Sequence, residues 1–244
     1  MSRAEERRGS RSKGGSDMTK FGMILGVVAL IGAGWLFWSV RGSVLGTPAT
    51  GPLLELDLED RAVYQQLAQG ITSGDPTGTI GIIEFGDYQC HYCHVFFESI
   101  EGKIMKNYIE TGKVKMIFKD YNIIGKDSVK ASQGAHCAND QGLFWEYHDI
   151  LYSNWTGENN GWASGANLAN YAQDIGLEMN QWTDCMSQQK HSKTILDSNE
   201  DAKKLQLTGT PAFFVINSDG QVSKLFGAQP FEVFKRVFDE KLEN

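Results

Sequence analysis

Four cysteines occur in the 244-residue chain, and two of them, Cys90 and Cys93, are separated only by His91 and Tyr92. On the first turn of a helix, residues at i and i+3 share a face, so the two sulfurs can open and close a disulfide. Exchange chemistry needs a thiolate, which free backbone amides and the positive end of the helix dipole stabilise at a helix N-terminus. In that setting Cys90 is the expected exposed nucleophile and Cys93 the buried sulfur that resolves the mixed disulfide. Two other chemistries fit the same residues. Cys90 to His94 spells the C-x-x-C-H pattern of haem c attachment, and the two thiolates with His91 or His94 suit copper or zinc. His148, His191 and the Trp145, Trp155 and Trp162 set have no ligand-like spacing and read as packing or surface residues, so no metal site is expected among them.

What surrounds the motif separates these readings. Ile80 to Phe85 is short, mostly apolar and rich in isoleucine, the pattern of a strand buried on both faces of a largely parallel sheet. From His91 to about Thr111, Val95, Phe96, Ile100, Ile104, Met105 and Ile109 make one apolar helix face, with Gly112 as terminator. Lys113 to Lys119 alternates, Val114, Met116 and Phe118 against Lys113, Lys115 and Lys119, which predicts a second strand. Five helical runs follow, Ser128 to Asn139, Gly142 to Ser153, Ala166 to Ile175, Asn180 to Ser187 and Lys193 to Leu205. Ala212 to Ile216 and Gln221 to Phe226 then flank the turn residues Asn217 to Gly220, and Phe231 to Leu242 closes the chain as a helix. The order is βαβ, helices, ββα, with no internal repeat and no phosphate-binding glycine loop. A haem c domain does not need such a strand leading into its motif. Within that strand stands Glu84, six positions before Cys90, where a carboxylate is costly unless partnered or functional. The alternative is a glutamate reaching solvent at the strand end.

Residues 21 to 40 carry no charge, and twenty helical residues span roughly 30 Å, a bilayer core. Arg3, Arg7, Arg8, Arg11, Lys13 and Lys20 precede this segment against Glu5, Glu6 and Asp17, and only Arg41 follows closely, which keeps the N-terminus cytoplasmic. Trp35 and Trp38 suit the outer interface. A cleaved secretory signal is the alternative; either way the rest of the chain is expected outside the cytoplasm, anchored to the cell membrane as a single-pass protein. Setting aside the net +3 of the tail and the +1 of Arg41 takes the overall −7 to −11 for that remainder, which excludes nucleic acid as a partner. All four cysteines fall within it, where disulfides persist.

With those elements in place the chain resembles the thioredoxin superfamily, and more closely its DsbA-like branch of disulfide oxidoreductases. The likeness rests on Glu84, Phe85, Gly86, Asp87, Tyr88, Gln89 and the Cys90 to Cys93 motif, and on Gly209, Thr210, Pro211, Ala212, Phe213 and Phe214. It continues through the insert at Cys137, Ala138, Gly142, Phe144, Trp145, His148, Tyr171, Gly176, Leu177 and Cys185. It implies an α/β thioredoxin fold with a core of residues 76–122 and 206–244 and a helical insertion at 123–205. Before them lie a basic tail at 1–20, a transmembrane helix at 21–40 and a stalk at 41–75 with a short helix around Glu59 to Gln69.

The resemblance implies a protein disulfide oxidoreductase that uses no cofactor beyond its own redox-active Cys90–Cys93 pair. It makes Glu84 a proton acceptor for Cys93. It makes Thr210 and Pro211 a cis-proline loop that faces the sulfurs and offers backbone groups to an extended substrate segment, and Tyr92 joins these two in substrate contact. His91 departs from the branch, which carries proline first and histidine second between its cysteines. Beside Cys90 an imidazolium supports a thiolate, whereas a solvated imidazole does little. Cys137 and Cys185, on separate helices, are expected to form a second, structural disulfide, contributing at most roughly 4 kcal/mol; two buried free thiols are the alternative. The stalk is too short for the dimerisation domain of exported isomerases, so the expectation is a monomeric oxidase acting on reduced exported proteins. A quinone-linked membrane partner of the DsbB or VKOR kind is implied by the resemblance alone. Asn154, Trp155 and Thr156 form a glycosylation sequon, and an inactive thioredoxin-like interaction domain is a further alternative, at odds with the retained cysteines, Glu84 and Pro211.

Overall fold

The Ile80–Gly86 segment forms a strand, β2, whose seven residues are all buried, as its isoleucine-rich run predicts. The computed structural model describes residues 70–243; the tail, the apolar segment 21–40, most of the stalk and the helix expected around Glu59 to Gln69 lie outside them. Among the described residues no helix is long and apolar enough to cross a membrane. β2 pairs in parallel with β3 (Val114–Asp120) and antiparallel with β4 (Ala212–Ile216), which in turn pairs antiparallel with β5 (Val222–Phe226). The chain between β2 and β3 forms α1, which starts as an α-helix at His91–Phe96 and continues through Phe97–Glu101, Gly102–Ile104 and Met105–Ile109 with two π-helical stretches. Gly112 ends it at φ +73°, a left-handed conformation that glycine adopts without strain.

One strand escapes the sequence pattern. Ile71–Ser73 forms β1 and pairs antiparallel with the outer edge of β3, giving the sheet order β1-β3-β2-β4-β5. The sheet therefore starts before residue 76, within residues expected to be stalk. Three residues are too few to display a period, and β1 exists because the edge of β3 offers it unpaired backbone groups. β3 corrects a second expectation. Lys119, read as a solvent-facing position, is only 7 % exposed, because α6 (Ser192–Lys204) packs on that face and its Asp201 receives the ammonium at 2.8 Å. The aliphatic stem is thereby buried while the charge finds a partner.

Three cores divide the domain. Ile80, Ile82, Phe96, Ile100, Ile104, Met116 and Phe213 join Phe234 and Phe238 of α7 (Phe231–Glu243) on one face of the sheet. Ile83, Phe85, Ile117, Phe214 and Ala202 fill the other face. The third core belongs to the insertion, α2 (Lys126–Asn139), α3 (Phe144–Ser153), α4 (Gly165–Asp174) and α5 (Met179–Ser187), and it includes Tyr88, Cys90 and Cys93. The helices fall within two residues of their expected ends. Cys137 of α2 and Cys185 of α5 are joined by a disulfide with Cα atoms 5.8 Å apart.

Candidate active site

β2 ends at Gly86, and the chain turns through Asp87, Tyr88 and Gln89 to place Cys90 at the N-cap of α1 in extended conformation, φ −67° and ψ 126°. Asp87 fixes that turn. Fully buried, its carboxylate accepts the amides of Gln89 (2.8 Å), Ile123 (2.8 Å) and Ile124 (2.9 Å), while its carbonyl accepts the Cys90 amide at 2.9 Å. Gly86 is required by close approach, because a Cβ there would lie 2.6 Å from the Phe118 ring and 3.3 Å from Glu84 Oε1.

Cys90 and Cys93 are both free thiols. Cys90 is expected to be exposed, but only 5 % of it is, and Cys93 is fully buried. The cover over Cys90 comes from the loop opposite, where Thr210–Pro211 is a cis peptide bond and the Thr210 carbonyl lies 3.3 Å from Cys90 Sγ. The two sulfurs have opposite acidities. A hydrogen bond from the Cys93 thiol pulls the Cys90 pKa down to about 6; burial opposes this, and Thr210 and the Cys93 and Tyr92 amides add to it. Burial, followed by hydrogen bonding to Cys90 and the charges of Cys90 and Glu84, pushes Cys93 well up. One sulfur is thus held as a nucleophile and the other as a thiol.

Glu84 is 1 % exposed, so its side chain does not reach solvent, and its Oε2 has no hydrogen-bond partner. Burial, then Glu101 and Cys90, raises its pKa well above the usual carboxylate range. Tyr92 is 61 % exposed beside the sulfurs. The His91 ring lies against Tyr92 and Trp155, with centroids at 5.3 and 5.5 Å. His94 stacks on Trp155 at 4.4 Å, so the histidine of the C-x-x-C-H pattern has an aromatic ring over its face. Two groups of metal-ligand type converge among the described residues, Asp140 with Cys185 and His191, and Glu101 with His148 and Asp149. Neither contains Cys90, Cys93, His91 or His94, and Cys185 is committed to its disulfide.

Sequence reasoning missed a clamp from the insertion. The Trp155 indole donates to the Gln89 carbonyl at 2.8 Å, Gln89 Oε1 accepts the Asn159 amide at 2.8 Å, and Glu158 Oε1 accepts the His91 amide at 3.1 Å. Trp155 had read as a packing or surface residue, and the sequon Asn154 lies exposed next to it. Nothing in the local sequence signals these contacts, which join positions 66 to 70 residues apart.

A strand that delivers a nucleophilic thiolate to a helix N-terminus, opposite a cis-proline loop, defines a thiol-disulfide exchange site on a thioredoxin scaffold. A thioredoxin family model matches residues 66–232. Disulfide bond formation protein D of Bacillus subtilis is 24% identical over 173 residues, covering 70% of this chain and 76% of that protein. Among solved structures, oxidised BdbD from Bacillus subtilis superposes with a TM-score of 0.65 at 20% identity, covering 71% of this chain and 92% of that one. Wolbachia pipientis alpha-DsbA1 gives 0.63 at 24% identity, covering 70% and 90%. These two structures show the same fold. The chain belongs to the thioredoxin family, as a DsbA-like protein disulfide oxidoreductase.

Proposed function

We propose that the protein is an extracytoplasmic disulfide oxidase, tethered to the cell membrane through residues 21–40, that donates its Cys90–Cys93 disulfide to reduced exported proteins. The observation that carries this reading is the opposed acidity of the sulfurs, Cys90 at about 6 and Cys93 raised. A stabilised Cys90 thiolate favours the reduced enzyme and makes its disulfide a better oxidant. In the cycle a substrate thiolate attacks Cys90, Cys93 leaves and takes up a proton, and a second substrate thiolate displaces Cys90 as the substrate disulfide forms. Glu84 serves as the proton donor and acceptor for Cys93. Thr210, Pro211 and the exposed Tyr92 ring hold the substrate segment, and a protonated His91 adds positive potential near the thiolate. No cofactor is required, the working unit is a monomer, and the Cys90–Cys93 pair is reoxidised by a quinone-linked membrane partner of the DsbB or VKOR kind.

Redox equilibration of the full-length chain with glutathione tests the direction. A potential well above thioredoxin's, about −270 mV, is expected; a value at or below it overturns oxidation in favour of reduction.

A further inference from the structure

Glu84 is sealed inside the domain, yet a residue that exchanges a proton with Cys93 must also exchange it with solvent. Behind it lies a set of ionisable groups the cycle above does not use. Glu101, on the inward face of α1, is 5 % exposed, and its Oε2 has no hydrogen-bond partner. Its Oε1 lies 3.6 Å from Nε2 of His148, a fully buried residue of α3. The Tyr88 hydroxyl sits 3.3 Å from His148 Nδ1. With the hydroxyl donating to Nδ1, the other ring nitrogen, Nε2, is the one that faces Glu101. Asp149, next along α3, is exposed, and its carboxylate converges with Glu101 and His148 to within 4.8 Å.

We propose that Glu101, His148 and Asp149 form the path along which the proton shared by Cys93 and Glu84 passes to and from solvent. The inference rests on the reading of Glu84 as the base for Cys93. Of the six buried side-chain polar atoms without a hydrogen-bond partner among the described residues, Glu84 Oε2, Glu101 Oε2 and His148 Nε2 are three. Leaving such atoms unpaired costs stability, and a site that must pick up and release a proton has a use for them. Glu84 and Glu101 also sense each other electrostatically. Tyr88, Tyr152, Cys90 and Cys93 are the other titratable groups facing Glu84, and Glu146 is the further charge near Asp149.

During reoxidation the Cys90 thiolate attacks an acceptor disulfide, one acceptor thiolate leaves, and a mixed disulfide forms. Cys93 gives its proton to Glu84 and attacks Cys90 Sγ, the Cys90–Cys93 bond forms, and the second acceptor thiolate leaves and is protonated by water. Two electrons pass to the acceptor, and the proton on Glu84 moves through Glu101 and His148 to Asp149 and out.

The test uses the reduced full-length protein with glutathione disulfide as acceptor, acid-quenched at intervals and analysed by mass spectrometry between pH 5 and 9. Glu84→Gln should slow closure of the mixed disulfide by roughly 100-fold, the usual contribution of a positioned base. Glu101→Gln and the surface variant Asp149→Asn should slow the same step and alter its pH profile and solvent isotope effect. Glutathionylation of Cys90 should keep its rate in all three, and Glu101→Asp should restore part of the loss. Wild-type closure in Glu84→Gln overturns the base. Slow closure in Glu84→Gln with wild-type pH profiles in both Glu101→Gln and Asp149→Asn overturns the path alone. Equal slowing of both steps in Glu101→Gln and in Asp149→Asn marks a packing role and also overturns it.

Discussion

Changing the pH between 5 and 9 alters the number of protons that accompany two electrons onto the Cys90–Cys93 pair, and the structure fixes where that number changes. Cys93 stays protonated over this range because its pKa is pushed well up, whereas Cys90 titrates at about 6 against an ordinary 9.0. Below about pH 6 reduction consumes two protons, so the potential falls by about 59 mV per pH unit; above it reduction consumes one, and the slope is about 30 mV. The lowered pKa stabilises the reduced protein in full above pH 9.0, and the effect is lost as pH falls through about 6. At pH 8 the couple is therefore about 60 mV more oxidising than one whose thiols both keep their ordinary acidity. Glutathione equilibration at each pH, read by alkylation after acid quench, measures the slopes, and thiolate absorbance at the ultraviolet edge locates the midpoint independently. Because the Cys93 thiol is the largest stabiliser of the Cys90 thiolate, Cys93→Ala should move that midpoint upward from 6 toward 9.0. A single two-proton slope through pH 8, or an unmoved midpoint in Cys93→Ala, would refute the assignment of the thiolate to this hydrogen bond.

Two further outcomes follow from burial. Replacing Cys137 and Cys185 together by alanine should lower unfolding stability by up to roughly 4 kcal/mol in denaturant titration, the loop-closure effect of a bridge spanning 48 positions, and leave the Cys90 midpoint near 6; a shifted midpoint would mean the bridge shapes the active site. Burial raises the Glu84 pKa, so its carboxylate weighs against the fold increasingly as pH rises above the ordinary value of 4.5. Glu84→Leu should thus melt higher than the parent at pH 7 and match it more closely near pH 4; a lower melting temperature at pH 7 would contradict the unpaired burial seen here.

The parts of this protein legible in its sequence are those where one segment carries its own pattern. The isoleucine run of β2, the apolar stripe of α1 and the Asn217 to Gly220 turn each specify their element locally, and the cysteine spacing specifies its chemistry. The features that escaped are set by contacts distant in sequence. β1 is held by the edge of β3, Lys119 is buried by a helix some 80 residues later, and Cys90 is covered by the Thr210 carbonyl from a loop 120 residues away. Glu158 at the first amide of α1 and Trp155 over His94 belong with these, since no property of either residue's neighbourhood announces a partner near Cys90.

Cys90 and Cys93 pack in the core of the inserted helices, to which the sheet contributes Phe118 of β3. The inserted helices are here a wall of the reaction chamber. Exchanging this insertion between related enzymes would change how the sulfur pair is enclosed, while Cys93, Thr210 and the Tyr92 amide, which set the acidity of Cys90, stayed with the parent.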